Sequence, residues 1–489
     1  MTTINFGTSG HRGIVGEGFS ERHVQAIGHA IGHYLSERFA TPTILLGMDP
    51  RQGNSPTLKA GSFSALLAQI LVSWSVNVWS HTVFAPTPLI SWAIGHFGLQ
   101  GGVMLTASHN PSAYNGLKFN DEWGAPAPVE VTREIGVLAN RYYDSPPARR
   151  GSQVGSVRLV DFTSDFANAL IESVQKAQGG QLAPLLDKKI VVDVKHGTAA
   201  PVWEVICQKC RLRDYTILHA EPRSDFGNLE TNPTAPGALD DLRHQMRILG
   251  ADAGFAHDPD ADRHVIVDES GTVLSPEETA VLILYHLVRQ HQPVWGIATT
   301  LASSLLVHAA ATQWQVHFEE TPVGFKYFAP ALKAARLAHR IGLAVESSGG
   351  FSASFHTLEK CGFLPCLWVL EIAAARNLPV SALREELHRE VGTWTFREVA
   401  IHFDPDKKRS LVDLFKSVSP AQLSDQLGLS VTALDSRDGL KAWVGDNAWM
   451  LWRLSGTEPV ARLYVEAPTG EETSQLQHAA EGWIRSRIS

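Results

Sequence analysis

The chain has 489 residues, 44% hydrophobic and 19% charged, which is more apolar material than one core uses and excludes a largely disordered protein. Lys plus Arg number 42 against 50 Asp plus Glu, and the net charge of −8 excludes a general attraction to nucleic acid or anionic lipid, so an anionic ligand needs local cations. At ~150 residues per domain the length predicts three or four domains.

The N-terminal stretch MTTINFGTSGHRG has neither a basic nor an apolar targeting segment, and no later run approaches the ~18 apolar residues of a membrane span, so a cytoplasmic address is expected. Residues 43–46 read as a strand, 56–72 as an amphipathic helix, and 76–79 and 102–105 as further strands, an α/β domain placed at 1–147. A Ser-Pro-Pro and Arg-Arg-Gly-Ser stretch near 145–152 reads as a linker. A second α/β domain, 148–272, has strands at 189–194, 215–218, 253–256 and 265–267 and helices from 199 and at 238–247. A third, 273–392, opens after Ser275-Pro276 with a helix to about 289, then strand 294–298, helix 302–312 and strand 315–318. From 393 to 489 the pattern changes to α+β, with strands at 396–403, 450–453 and 462–466 and helices at 407–417 and the C-terminus. The fold class is therefore α/β, with three similar domains and a different fourth, an arrangement that favours a cleft between domains.

The most informative stretch is His257, Asp258, Pro259, Asp260, Ala261, Asp262, Arg263, with three carboxylates at alternate positions after an apolar strand. Oxygen-only donors suit Mg²⁺, and α/β sheets bring ligands to loops at strand C-termini. A calcium EF-hand loop from Asp258 would find Glu269 at its twelfth position, but Arg263 stands where the sharp turn needs glycine and Val265, Ile266 and Val267 read as strand. A solvated acidic turn is the bland alternative. A zinc site from Cys207, Cys210, Cys361 and Cys366 would need two distant pairs to meet, and ordinary reduced cysteines are expected.

The second stretch, Thr106-Ala107-Ser108-His109-Asn110-Pro111, follows a strand and precedes Asn115-Gly116-Leu117-Lys118. It displays a serine without the G-x-S-x-G elbow of acyl transfer, and alone it reads better as an ordinary polar loop than as a site. Two small-residue loops with an arginine, Gly7-Thr8-Ser9-Gly10-His11-Arg12-Gly13 and Arg453-Leu454-Ser455-Gly456-Thr457-Glu458-Pro459, can offer backbone N–H groups, hydroxyls and a guanidinium fork to a phosphate. Plain connectors have the same composition.

Together, in this order, these stretches resemble the α-D-phosphohexomutase family of phosphoglucomutases and phosphomannomutases, over nearly the whole chain. Residues 321–326 resemble its sugar-selecting loop and 346–349 its hydroxyl-binding loop. The resemblance implies mixed sheets in the α/β domains and four domains around a central cleft. It implies that Ser108 is the phosphorylated nucleophile, and that Ser108, Asp258, Asp260 and Asp262 hold Mg²⁺. Lys118, Arg12 and His109 are then the further catalytic candidates, Lys118 for proton transfer at the sugar hydroxyl. Thr8, Ser9, Arg263, Val323, Gly324, Lys326, Glu346, Ser348, Arg453, Ser455, Gly456 and Thr457 are the substrate-binding candidates. His11 and His264, flanking the motifs, read equally well as structural.

The implied activity is interconversion of glucose 1-phosphate and glucose 6-phosphate through bound glucose 1,6-bisphosphate, which also serves as activator, with mannose phosphates as further substrates. Partners are sugar phosphates, with no nucleic acid or membrane, in a monomer or homodimer. Val345 and Ser347 depart from the family pattern of Gly before the glutamate and Glu or Met after it, which leaves sugar choice open, although Gly324-Phe325-Lys326 leans to glucose. A glucose-1,6-bisphosphate synthase and an inactive sugar-phosphate-binding regulator share the same motifs.

Overall fold

The computed structural model describes residues 4–7, 10–147, 155–180, 182–455 and 459–488. Its first sheet has the order β1-β5-β4-β2-β3-β6, from β1 (His11–Ile14), β2 (Thr43–Met48), β3 (Asn77–His81), β4 (Gly101–Leu105), β5 (Tyr114–Asn120) and β6 (Val157–Val160). The strands β4, β2, β3 and β6 are parallel, whereas β5 runs antiparallel to both β4 and the edge strand β1. β6, beyond the linker expected near 145–152, hydrogen-bonds to β3 of this sheet. The linker's residues 148–154 lie outside the described residues.

The second sheet has the order β11-β10-β9-β7-β8, from β7 (Lys189–Asp193), β8 (Asp214–Leu218), β9 (Ala253–Ala256), β10 (Val265–Asp268) and β11 (Val273–Leu274). The third is β13-β12-β14-β15, from β12 (Val294–Thr300), β13 (His317–Thr321), β14 (Ile341–Val345) and β15 (Phe351–Ala353). One scheme recurs in all three sheets: three parallel strands, then a hairpin into an antiparallel strand. That hairpin is β4–β5 in the first, β9–β10 in the second and β14–β15 in the third. Central strands such as β2 and β9 are buried along their length, as parallel strands covered on both faces must be.

The last sheet is wholly antiparallel, with the order β16-β20-β19-β18-β17, from β16 (Thr395–His402), β17 (Val431–Asp435), β18 (Leu440–Val444), β19 (Ala448–Leu454) and β20 (Val460–Ala467). The helix Gly470–Ile488 covers it through Leu476, Ala480, Trp483 and Ile484. One continuous core runs from Leu45 and Ile90 through Trp203 and Phe255 to Trp368 and Leu370, whereas the last sheet has its own core around Trp452 and Leu463. Leu301, Trp449 and Tyr464 join the last sheet to the third.

Several elements differ from expectation. The helix expected over 56–72 begins at Phe63: Leu58 and Gly61 take positive φ of 50° and 83°, and Ser62 caps the helix by accepting from the Ala65 N–H. The helix expected from 302 starts at Leu305, with Ser304 as its cap, and the strand expected at 315–318 lies at His317–Thr321. The helix Pro276–Arg289 begins where Ser275-Pro276 predicts, with Ser275 and Glu278 completing a capping box. No single described helix is long and apolar enough to cross a membrane.

Candidate active site

The three recurrent hairpins deliver three of the predicted loops to one place. After the buried strand β4, the chain turns at Ser108, whose φ is +53°. Thr106 Oγ1 accepts from the Ser108 N–H at 2.7 Å and donates to Asp49 Oδ2 at 2.6 Å. The turn closes around the buried guanidinium of Arg51. Its Nε donates to Asp49 at 3.0 Å, and its terminal nitrogens donate to the carbonyls of Ser108 (2.5 Å), Asn110 (2.6 Å), Pro111 (2.8 Å) and Tyr114 (2.7 Å). All five N–H groups are thereby used, which fixes a strained serine loop.

The hairpin β9–β10 carries the aspartates, all three with no exposed surface and with carboxylate oxygens within 4.8 Å of one another. Ser108 Oγ donates to Asp258 Oδ2 at 2.7 Å, joining the first two loops. Thr87, at the start of the helix Thr87–Phe97, donates its hydroxyl to Asp260 Oδ2 at 2.6 Å and its N–H to the Asp260 carbonyl at 2.9 Å. Lys118, projecting from β5, lies 2.6 Å from Asp260 Oδ2 and 3.0 Å from Asp262 Oδ2, and Lys360 lies 3.3 Å from Asp262 Oδ2.

Electrostatics divides the trio. Burial, then repulsion from Asp262 and Asp260, pushes Asp258 up to about 8. Burial also acts to raise Asp260 and Asp262, but Lys118 reverses this at Asp260, and Lys118 with Lys360 and Arg263 reverses it at Asp262. Burial alone would lower Lys118; the two aspartates outweigh it and hold the ammonium above its usual range. Asp260 Oδ1 and Asp262 Oδ1 are buried with no hydrogen-bond partner. Unpartnered hard oxygens in an acidic cluster fit an oxygen-seeking divalent ion such as Mg²⁺. The EF-hand alternative fails, since 265–268 is strand and Glu269 accepts from the Ser381 N–H at 3.3 Å. The cysteines are free, and burial raises Cys207 and Cys361 to about 12 and Cys210 to about 11.

The aspartate loop is bolted to its neighbours. His257 donates from Nδ1 to the Arg263 carbonyl at 3.0 Å and accepts the Trp203 indole N–H at 2.8 Å, so it is neutral, and burial lowers it to about 4. The Pro259 carbonyl accepts from Thr198 N and Oγ1, the Ala261 carbonyl from Gly362 N, and the Gly349 carbonyl from His264 N and Nδ1. His257 and His264 are therefore structural. The last contact ties the aspartate loop to the hairpin β14–β15, where Glu346, only 7% exposed, accepts from Ser348 Oγ at 3.2 Å.

A cavity of about 400 Å³ opens over this cluster. His109, Lys118, Asp262, Arg263, Val323, Gly324, Lys326, Glu346, Ser348 and Arg453 line it. Ser108, Asp258 and Asp260 lie beneath, and Ser108 is 1% exposed. Arg12, on β1, donates to Asn110 Oδ1 at 2.9 Å and feels the charges of Asp260 and Asp262 without lining the cavity. Ser455 is also off the cavity wall, its carbonyl accepting from Lys408 Nζ at 2.8 Å. Thr8, Ser9, Gly456 and Thr457 lie outside the described residues. Burial, then the charges of Arg263, Arg12 and Lys360, holds His109 far below its ordinary range, so its imidazole is neutral. Burial lowers Lys326 against a weaker opposing pull from Glu130.

Sequence reasoning missed Arg51, Thr87, Lys360, Arg462, Glu398 and Tyr464; the last two and Arg462 line the cavity from the fourth sheet. Arg462 had a readable signal, since it follows the predicted phosphate loop on a strand. Arg51 and Thr87 had none, because the serine-loop carbonyls that Arg51 holds and the Asp260 that Thr87 holds are distant in sequence.

Four family models match the chain in order: phosphoglucomutase/phosphomannomutase alpha/beta/alpha domain I over 3–144, domain II over 164–271, domain III over 275–391 and the C-terminal domain over 409–482. The chain belongs to the phosphoglucomutase/phosphomannomutase family of phosphohexomutases. A phosphoglucomutase/phosphomannomutase of Thermococcus kodakarensis is 28% identical over 96% of both chains. A phosphoglucosamine/phosphogalactosamine mutase of Sulfurisphaera tokodaii is 27% identical over 94% of this chain and 95% of its own. The crystal structure of a phosphoglucomutase/phosphomannomutase family protein from Burkholderia thailandensis shares the fold, with a TM-score of 0.78 at 19% identity over 98% of this chain and 96% of that one.

Proposed function

We propose that the protein is a Mg²⁺-dependent phosphohexomutase that interconverts glucose 1-phosphate and glucose 6-phosphate through phospho-Ser108. The observation that carries this reading is the 2.7 Å contact between Ser108 Oγ and Asp258, which brings a strained, buried serine from one domain onto the acidic cluster of another. Asp258, Asp260 and Asp262, with the oxygen on Ser108, would hold the ion. Bound there, it supplies positive charge against the transferring phosphoryl oxygens.

Ser108 carries the phosphoryl group. In the first half-reaction the P–O bond to Ser108 Oγ breaks as a bond forms to the O6 of glucose 1-phosphate, giving glucose 1,6-bisphosphate. The bisphosphate turns over, and its 1-phosphoryl group returns to Ser108 Oγ, releasing glucose 6-phosphate. Lys118 moves the sugar-hydroxyl proton, off O6 in the first step and onto O1 in the second. Its contacts with Asp260 and Asp262 keep it an ammonium, so in the first step it passes a proton to the leaving Ser108 Oγ as it takes the one from O6, and in the second it gives a proton to O1 as it takes the one from Ser108 Oγ. Glu346 and Ser348 hydrogen-bond sugar hydroxyls, Arg453 with Lys326 takes the phosphate remote from Ser108, and Arg263, 3.9 Å from Asp258 Oδ2, faces the phosphoryl group in transfer. His109, neutral, contributes a hydrogen bond.

The test is steady-state kinetics on the 1-phosphates of glucose, mannose and glucosamine, with Mg²⁺ and catalytic glucose 1,6-bisphosphate as activator, alongside mass spectrometry of Ser108. Preferred turnover of glucose 1-phosphate is expected, with phosphate on Ser108 and loss of at least ~10³-fold in kcat for Ser108→Ala. Unphosphorylated Ser108 together with undiminished turnover in Ser108→Ala would reject the mechanism. Preference for glucosamine 1-phosphate would keep the mechanism and change the substrate.

A further inference from the structure

We infer that Asp438 is a positioning residue that locks the guanidinium of Arg453 to the sugar-side loop at Val323, so that the remote phosphate and the sugar are held by one unit. The inference rests on the reading of Arg453 as a phosphate ligand given above. Asp438 lies in the turn between β17 and β18, away from every loop the sequence motifs single out. Its Oδ2 accepts from Arg453 Nε at 2.9 Å and from the Val323 N–H at 2.9 Å. Arg453 belongs to β19 of the fourth sheet, Val323 follows β13 of the third, and both line the same cavity. One carboxylate oxygen therefore spans the seam between two domains at the cavity wall.

The turn is built to deliver this oxygen. Gly439 has φ +103°, and a Cβ there would lie 2.3 Å from the Trp452 carbonyl oxygen and 3.1 Å from Arg453 Cα. Only glycine lets the turn rest on β19 beside Arg453. On either side of Asp438, Arg437 donates to the Glu320 carbonyl at 3.0 Å and Lys441 to Glu320 Oε1 at 2.6 Å. Both contacts pin the turn to Glu320 of β13, three residues before Val323. A carboxylate on Nε fixes the rotation of the guanidinium plane, which a bidentate grip on phosphate requires. An arginine held this way presents the same fork to either phosphate of the bisphosphate, while the shared oxygen keeps the loop at Val323 in step.

The experiment measures glucose 1-phosphate binding by calorimetry and steady-state kinetics for the unaltered protein, Asp438→Ala, the near-isosteric Asp438→Asn, Arg453→Ala and the Asp438→Ala/Arg453→Ala pair. Asp438→Ala should raise Kd and KM about 10-fold or more while kcat changes by less than about 3-fold, since the grip on the remote phosphate is the same in the ground and transition states. Asp438→Asn, which keeps an acceptor for Val323 N–H but loses the charge facing Arg453, should fall between. In the Arg453→Ala background, removing Asp438 should add little, the mark of a residue that acts through its partner. If Arg453→Ala weakens binding and both Asp438 variants bind within about twofold of the unaltered protein, or if the two losses simply add, Asp438 has no such role and the functional reading stands. If Arg453→Ala binds normally, or the unaltered protein binds no glucose 1-phosphate, the phosphate-loop reading fails and the inference fails with it.

Discussion

Arg51 and Lys118 illustrate how single cations set this site. Arg51 spends every N–H on Asp49 and four carbonyls of the serine loop, and no other side chain has that fork. Arg51→Met strands a buried carboxylate and those carbonyls, and urea unfolding should report a loss of about 3–5 kcal/mol. A loss below about 1 kcal/mol would mean the loop holds itself. Lys118 sits in contact with two of the three aspartates that would hold the ion. Lys118→Met should therefore tighten Mg²⁺ binding by at least ~10-fold in calorimetry while lowering turnover. Unchanged or weaker Mg²⁺ binding would show that the ammonium does not compete with the ion. Ser108 and the aspartates could be picked out in the sequence because their spacing is local. Arg51 could not, since its meaning lies in carbonyls about 60 residues away.

At the scale of elements, two glycines carry the aspartate loop. A Cβ on Gly197 would lie 2.4 Å from the Pro259 carbonyl oxygen, and one on Gly362 would lie 2.2 Å from that of Arg263, so in each case backbone has to move. Gly197→Ala and Gly362→Ala should each weaken Mg²⁺ binding by about 10- to 100-fold, as loss of support behind metal ligands does. Gly482 is the control, because it sits exposed inside the helix Gly470–Ile488 with nothing within 4 Å of an added Cβ. Gly482→Ala should raise stability by ~0.5–1 kcal/mol and leave metal binding alone. If the loop glycines bind Mg²⁺ as tightly as Gly482→Ala, the loop is more compliant than its packing implies. Strands were readable here from runs of buried apolar residues, and their ends were not. Local turns such as that at Leu58 and Gly61 decide where a helix begins.

Across the whole molecule, the fourth domain closes on the third around buried carboxylates. Glu466 of β20 accepts from the Leu305 N–H at 2.7 Å and the Trp449 indole at 2.7 Å, and also from Ser304 Oγ. Beside it Glu277, wholly buried, is pushed up by burial to about 7 from an ordinary 4.5. Its folded pKa is the higher one, so its contribution to stability is complete below 4.5 and is lost as pH rises through 7. Glu277→Gln keeps an acceptor without the charge. Its melting temperature relative to the unaltered protein should rise across pH 4.5 to 7 and stay higher above it. A constant offset across that range would mean that Glu277 is charged in the folded state throughout.

The sequence by itself determined the class of each domain, the order of the loops and the residue types at their tips, because strand burial, turn chemistry and carboxylate spacing are all encoded within a few neighbouring residues. The recurrence of one hairpin in three sheets left no visible repeat in the residues, since many apolar side chains fill the same strand equally well. Only the tertiary structure decided which cations meet the aspartates and which backbone closes against Gly197 and Gly362. It also decided that Asp438 reaches both Arg453 and Val323. Such contacts join residues far apart along the chain, and they exist only once separate domains have packed into one cleft.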